Sequence, residues 1–498
     1  MTKLLLTGAL TIAWVAAGMV ALTYYDRGAA PAGACGIGGP YDFDTYEAQD
    51  YVSDYGRMIE LAARGEVVDF AWTIEAGDHI DLRFQGLERG PRWDRTAAST
   101  EWDIPPSIMK SIAWNETVYA NAAPPGGVAV PYGGVGAVIR SFDCGYGLGQ
   151  ITTGMSNSTG TATGRQALIA THPLFNLAEG ARILADKWNG APQVRPVAGY
   201  GNTLALEDWY YAIWSYNGFA FSNHPLNPNR PEFRGPVYHC YQQAAYDALP
   251  GYVNYDRADY TYPELVYGCM RYPPTRLGTI MWQPQVFQMP SPYNQYQAPA
   301  FNTEAFLSCQ LAGFSGGCPA MDFHTDDPAA GLVTHPDNTP ADPLGRTAGD
   351  FLQGPSLGVN GPSVAQLAVP AGGTPTSVTV TVQNVGTYIV PFRVRTSSSW
   401  IVVRHPSDPT TRTLDAGVAI GTNVQVNVGT TASPILQAGF PSVLTITINP
   451  ATYPGGTQLG SVWIEPLYGS GSVYKLNLGI HATAAAEHRI TIPGALSE

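Results

Sequence analysis

Charge is scarce in this chain. Asp, Glu, Lys and Arg together make up 13% of its 498 residues, about half the usual share. Positive charge is scarcer still, and the formal net charge is −13. That balance argues against nucleic acid as a partner, whose phosphates would be repelled. It also gives no polybasic attraction to anionic lipid. Metal-ligand spacing is missing: His239 and Cys240 have no second pair to match them, so no metal is expected, and no cofactor. Beyond Cys318 there is no cysteine at all.

What is abundant points outward. Hydrophobic residues reach 45%, with 28 Tyr, 55 Gly and 41 Pro. There is room for two or three domains with real cores, and the texture suits an extracytoplasmic protein with long ordered loops. After Lys3, the 22 residues Leu4 to Tyr25 are uncharged and mostly apolar. A helix of that length spans the ~30 Å hydrocarbon layer, and Tyr24 and Tyr25 suit an interfacial belt. An uncleaved membrane anchor is the first reading. A cleaved signal, with Ala32 to Ala34 as its processing stretch, and a lipoprotein at Cys35 stay open. All three place the bulk of the chain outside the cytoplasm.

Six cysteines permit disulfides in such a compartment, with 15 possible pairings. Cys309 with Cys318 is favoured by proximity, then Cys240 with Cys269. Cys144 is placed to pin a neighbouring loop, and Cys35 reads as a free thiol.

Composition divides the chain into five parts. Residues 1–25 are the anchor or signal segment. Residues 26–97 are a Gly/Ala/Pro linker and an N-terminal extension, with a helical pattern over Tyr46–Arg64 and a strand near Phe70–Glu75. Residues 98–324 form a mainly helical domain. Leu177, Ala181, Leu184 and Trp188 share one helical face there, as do Trp209, Ala212, Ile213 and Tyr216. Its later part, Phe221–Phe314, is rich in Tyr, Pro and Asn without clear periodicity; loops that long usually serve or cover a site. Residues 325–374 read as a linker. Residues 375–482 turn to period two, in Ser377–Val382, Asn423–Val428, Val443–Ile448 and Ser472–Leu478. That predicts an all-β immunoglobulin-like sandwich, with Trp400 and Trp463 in its core.

The most informative segment is Ile104–Thr117. Pro105 and Pro106 suit the first turn of a helix. Ile108, Ile112 and Glu116 then fall on one row. Burying a carboxylate in register with an apolar stripe is costly, and a raised pKa relieves the cost. A carboxyl that is protonated near neutral pH is what a glycosidase general acid needs. By itself the pattern also fits a helix-terminal Glu that reaches solvent.

Three later segments add weight: Gly145–Thr152, Pro173–Leu184 and Trp209–Gly218. In this order, over roughly residues 100–220, the chain resembles the lytic transglycosylase family, whose lysozyme-like fold is related to goose-type lysozymes. That family carries Glu-Ser at a helix end, Gly-Leu-Met-Gln, an Asn-containing helix start with Gly-Ala, and Ala-Tyr-Asn. Here the counterparts are Glu116-Thr117, Gly147-Leu148-Gly149-Gln150, Asn176 with Gly180-Ala181, and Ser215-Tyr216-Asn217. Gly149 replaces the usual Met, which puts subsite shape in doubt and leaves the acid chemistry intact.

The resemblance implies cleavage of the β-1,4 bond between MurNAc and GlcNAc in peptidoglycan glycan strands. Glu116 is then first the acid and afterwards the base that draws a proton from the C6 hydroxyl, leaving a 1,6-anhydro end. Thr117, Gly147, Leu148, Gln150, Tyr216 and Asn217 are the expected substrate-binding residues. Gly145 and Gly147 let the chain pass close to sugar, Gln150 pairs with an N-acetyl amide, and the Tyr216 hydroxyl reaches Glu116. The insert Ala123–Arg140 is expected to wall the cleft. Asp143 is a possible second carboxylate, whose blander role is capping a turn; Glu179 and Glu207 lie outside the catalytic position. A goose-type hydrolase and a non-catalytic wall-binding protein remain the alternatives, and the N-terminal segment implies a membrane as further partner.

Overall fold

The computed structural model describes residues 44–47, most of 54–287, 345–352 and most of 356–483. Two compact units emerge. One holds residues 1–353 with 425–437, the other 354–424 with 438–498. The first contains the helices and the second is a β-sandwich of two sheets.

In the first unit, α1 (Asp54–Ala63) packs on α2 (Pro106–Thr117) and on α4 (Pro173–Asn189), which follows α3 (Gly164–Thr171). α5 (Tyr210–Tyr216) lies against α4 and α6 (Tyr262–Arg271), and α6 lies against α2. Pro106 opens α2 as expected, and Ile108 and Ile112 are buried. The expected face of α4 is buried at Leu177, Ala181, Leu184 and Trp188. The Trp188 ring stacks on Trp209, centroids 4.2 Å apart.

The domain limit at 98 needs correction. α1 is a core helix: Met58, Ile59, Leu61, Ala62 and Ala63 are buried. A buried ion pair, Lys110 Nζ to Glu60 Oε1 at 2.8 Å, joins it to α2. Such a pair survives because each charge offsets the other's desolvation. Strand Phe70–Ile74 is present where a strand was expected. In the insert, Gly134–Val138 is the middle strand of a three-stranded sheet, between Asp44–Glu47 and Ala122–Ala123.

The linker over 325–374 also differs from expectation. A short helix, α7 (Ala348–Leu352), lies within it. Just before α7, Arg346 is tied to α1 by an ion pair with Asp54 and by Arg57 Nε donating to its carbonyl at 2.7 Å. Strands Ser356–Asn360 and Val364–Pro370 already belong to the sandwich, so that module starts before 375.

One sandwich sheet runs, in spatial order, Ile401–Arg404, Ser442–Ile448, Val378–Asn384, Ser356–Asn360, Ser470–Gly471. The other runs Ala416–Ile420, Ile389–Thr396, Thr457–Pro466, Tyr474–Thr483, Val364–Pro370. Alternation does the sorting: Val380 and Val382 face inward, as do Leu444, Ile446 and Ile448. The predicted strand near Asn423–Val428 is short, Gln425–Asn427. It pairs with Leu436–Ala438 outside both sheets and groups with the first unit.

Neither sandwich Trp is a core residue. Val462 and Ile464 take the inward positions, so Trp463 is half-buried on the outer face. Arg395 and Lys475 stand 5.7 and 5.6 Å from its ring centroid. Trp400 is also half-buried and meets Tyr453 edge-on at 5.6 Å.

Cys240 and Cys269 are bonded, and Cys144 is in a disulfide as well; both fit an oxidising compartment. Cys35, Cys309 and Cys318 lie outside the described residues, as does the proposed anchor at 1–25. Among the described residues no helix is long and apolar enough to cross a membrane.

Candidate active site

Glu116 sits in the last turn of α2, where the apolar row reaches the surface. It keeps some solvent contact, while protein atoms crowd its carboxyl. The Tyr262 hydroxyl donates to Glu116 Oε1 at 2.5 Å. Burial raises the carboxyl from its ordinary value to about 7. The Tyr262 hydrogen bond and the Arg257 charge work against that rise, and the Asp143 charge adds to it. The phenol of Tyr262 is itself pushed well up by burial and by the neighbouring carboxyl.

Tyr262 was not legible as a site residue, because it falls in the Tyr/Pro-rich stretch read as loop. A signal was present. Thr261 and Glu264 form a capping box, with Glu264 N donating to Thr261 Oγ1 and Thr261 N to Glu264 Oε2, and Pro263 lies in the first turn. That pattern marks a helix start.

The glycine segment serves the protein's own packing. Gly147 has φ +66°, and a Cβ there would stand 2.6 Å from Asn176 Nδ2. At Gly149 it would meet the Tyr216 hydroxyl at 3.1 Å, and at Gly180 the same hydroxyl at 3.2 Å. Asn176 stitches this segment to α4: its Nδ2 donates to the Tyr146 and Ile169 carbonyls at 2.6 and 2.9 Å, and Gly149 N donates to its Oδ1 at 2.8 Å. Gly147, Gly149 and Gly180 thus leave room for Asn176 and Tyr216. A Cβ at Gly149 would require the Tyr216 hydroxyl to give by a few tenths of an ångström.

The side chains expected to bind substrate also make bonds within the protein. The Tyr216 hydroxyl donates to the Gly149 carbonyl at 2.8 Å, and it is Tyr262 that bonds Glu116. Gln150 Nε2 donates to the Gly147 carbonyl at 2.8 Å. Thr117 Oγ1 donates to the Ala113 carbonyl at 3.2 Å and points toward that of Leu148 at 3.5 Å, and Leu148 is fully buried. Asn217 accepts from Asn223 Nδ2 at 2.8 Å, and Asn223 Oδ1 accepts from Tyr262 N at 3.0 Å. The Asn217 position therefore helps place Tyr262.

Asp143 is exposed and accepts from Ser141 Oγ, which accepts in turn from Gly145 N at 2.8 Å. It caps a turn close enough for its charge to reach Glu116. Glu179 is bound by Arg165 and Arg182, each at 2.6 Å. Burial works to raise its pKa, but the two arginines outweigh that and hold it low. A carboxyl so held is no proton donor. No group of His, Cys, Asp and Glu suited to a metal occurs among the described residues.

The backbone is unusual here. Val118, Tyr119, Cys144 and Gln150 are the non-glycine residues with positive φ among those described. They flank Glu116 and the glycine segment.

Removing one hydroxyl tests the arrangement. Tyr262→Phe deletes a hydrogen bond that favours the ionised carboxyl, so Glu116 will keep its proton to higher pH. If Glu116 serves as the acid the resemblance implies, the alkaline limb of a pH–rate profile should shift upward, and cleavage at neutral pH should fall about tenfold or more as the carboxyl loses its orientation. A limb that stays put would separate this bond from the titration.

No family model matches the chain, and no curated protein matches it. Solved structures do show partial likeness. The periplasmic chaperone SfaE shares 12% identity at a TM-score of 0.16, over 28% of this chain and 59% of that one. A family 123 glycoside hydrolase from Clostridium perfringens shares 9% at 0.18, over 26% and 27%. A PapD-like domain of human CEP192 shares 14% at 0.15, over 26% and 86%. Superpositions this loose assign neither fold family nor activity.

Proposed function

We propose that the first unit is a peptidoglycan lytic transglycosylase of lysozyme-like fold, and that the second is an immunoglobulin-like accessory module. The observation that carries the reading is Glu116, a carboxyl poised at about 7 at a helix end and bonded to Tyr262. A single residue must be acid and then base, so both forms must be accessible at neutral pH. Glu116 gives its proton to the bridging oxygen between MurNAc C1 and GlcNAc as the C1–O bond breaks. The resulting carboxylate takes the proton of the C6 hydroxyl while that oxygen bonds to C1. The acid is restored, and no water is consumed. An internal nucleophile has a high effective concentration. The net charge of −13 suits an uncharged glycan backbone better than a polyanion. The protein acts outside the cytoplasm, held to the membrane through its N-terminal segment or released from it.

The competing reading is a goose-type hydrolase, favoured by one observation: the charge of Asp143 reaches Glu116. Mass analysis of digested sacculi separates the two. We expect anhydro-muropeptides from the wild type, and the same products with substantial activity from Asp143→Asn. Reducing ends that disappear in that variant would make the protein a hydrolase. No fragments at all would leave a wall-binding module.

A further inference from the structure

The last turn of α2 is gripped from outside. Arg257 donates through one terminal nitrogen to the Asn115 carbonyl at 2.8 Å and reaches Asn115 Oδ1 at 3.3 Å. Asn115 immediately precedes Glu116 and is buried. Its Nδ2 donates to the Ser111 carbonyl at 2.8 Å and contacts Cys269 Sγ at 3.3 Å. Arg257 belongs to the short turn Arg257–Asp259 that leads into α6, the helix carrying Tyr262 and the bonded Cys269.

We propose that Arg257 is the positioning residue that lets Glu116 alternate between acid and base: through Asn115 it fixes the end of α2, and its positive charge opposes excessive proton retention. The proposal rests on the transglycosylase reading for the use made of the two proton transfers.

The final carbonyls of a helix lack helical partners and form the negative end of its dipole. A carboxylate there is disfavoured, and burial and Asp143 disfavour it further. The Tyr262 hydrogen bond offsets part of this, and without Arg257 beside it Glu116 would hold its proton more tightly still. Among the described residues, the titratable or charged groups facing it include Tyr262 of α6, Tyr216 of α5, Asp143 of the turn after the insert, and Arg257. Of these four only Arg257 is cationic. It also occupies one of the carbonyls that make the helix end negative, so one contact does both tasks. Arg257 is exposed, so solvent screens part of its effect.

The test is a carbon-13 carboxyl titration of Glu116 in the full chain, beside pH–rate profiles on sacculi. In Arg257→Gln the Glu116 midpoint should rise, a gain in proton affinity of about threefold or more. The alkaline limb of the rate profile should move the same way, with kcat reduced. Arg257→Lys keeps the charge and should hold the midpoint near wild type, and it stands in for the Gln variant should that one fail to fold. A Gln variant with an unmoved midpoint overturns the proposal, and so does a Lys variant that shifts as far as Gln. An active wild type with an unmoved midpoint sinks this proposal and leaves the transglycosylase reading standing. An inactive wild type with the predicted midpoints sinks that reading and leaves the tuning of Glu116 by Arg257.

Discussion

On the transglycosylase reading, Glu116→Gln is expected to leave a protein that binds glycan strands and does not cut them. An amide cannot supply the proton, and general acid catalysis is typically worth ~10²–10⁴-fold. More than about a tenth of wild-type activity would exceed what that loss allows and would remove Glu116 as the acid. The same variant carries a stability signature. A carboxyl raised to about 7 holds its proton in the folded state where the unfolded chain, near 4.5, has released it. The folded state therefore binds more protons between those values, and wild-type stability falls as pH rises through that window. Above it the cost of the ionised carboxyl is about 2–3 kcal/mol after allowing for its solvent contact. Glutamine avoids that cost. The variant is accordingly more stable than wild type at pH 8 and equal to it near pH 4, read from denaturant unfolding at both values. Equal stability at pH 8 would show that Glu116 ionises freely.

A sandwich fragment that begins at residue 375 does not fold, whereas one that begins at Gly354 does. The shorter fragment lacks Ser356–Asn360, which sits between Val378–Asn384 and Ser470–Gly471. It also lacks Val364–Pro370, which runs parallel to Tyr474–Thr483. With them go the buried side chains of Leu357, Leu367 and Val369. Burying each is worth roughly 1.5–3 kcal/mol, so the loss rivals the whole stability of a typical domain, about 5–15 kcal/mol. Circular dichroism and thermal unfolding of the two fragments decide the matter. A cooperative transition in the shorter one, at the same midpoint as the longer, would place the module where composition alone put it.

That boundary shows what a sequence discloses and what it hides. Val378–Asn384 and Ser442–Ile448 alternate cleanly because one face is buried and the other wet. Ser356–Asn360 holds a glycine and few apolar residues, and it takes its place from partners far along the chain. The helices were legible where apolar rows are long, as in α4, and the proline start of α2 was plain. Glu116 stood out because a carboxyl on an apolar row is dissonant. Its partners did not. Tyr262 lies 146 positions away and was masked by loop-like composition, although the capping box before it was readable. Arg257 reaches Asn115 across 142 positions, and no local pattern announces such a contact. The glycine run signals close approach, but the sequence does not disclose that Asn176 and Tyr216 stand against Gly147, Gly149 and Gly180.

The positive-φ residues beside Glu116 have a consequence for the order of assembly. Each L-residue with a Cβ prefers another conformation by roughly 1–2 kcal/mol, and the β-branched Val118 is an especially poor fit. Val118, Tyr119, Cys144 and Gln150 therefore hold their shape against local preference. Helix-end and turn hydrogen bonds, such as Val118 N to the Trp114 carbonyl and Gln150 N to that of Gly147, hold part of it, and the surrounding packing supplies the rest. Loops held partly against local preference are expected to form late in folding, after the helices they lean on, so the surroundings of Glu116 should order last. A chain halted one step short would have nearly all its helix and an unfinished setting for the Glu116 carboxyl.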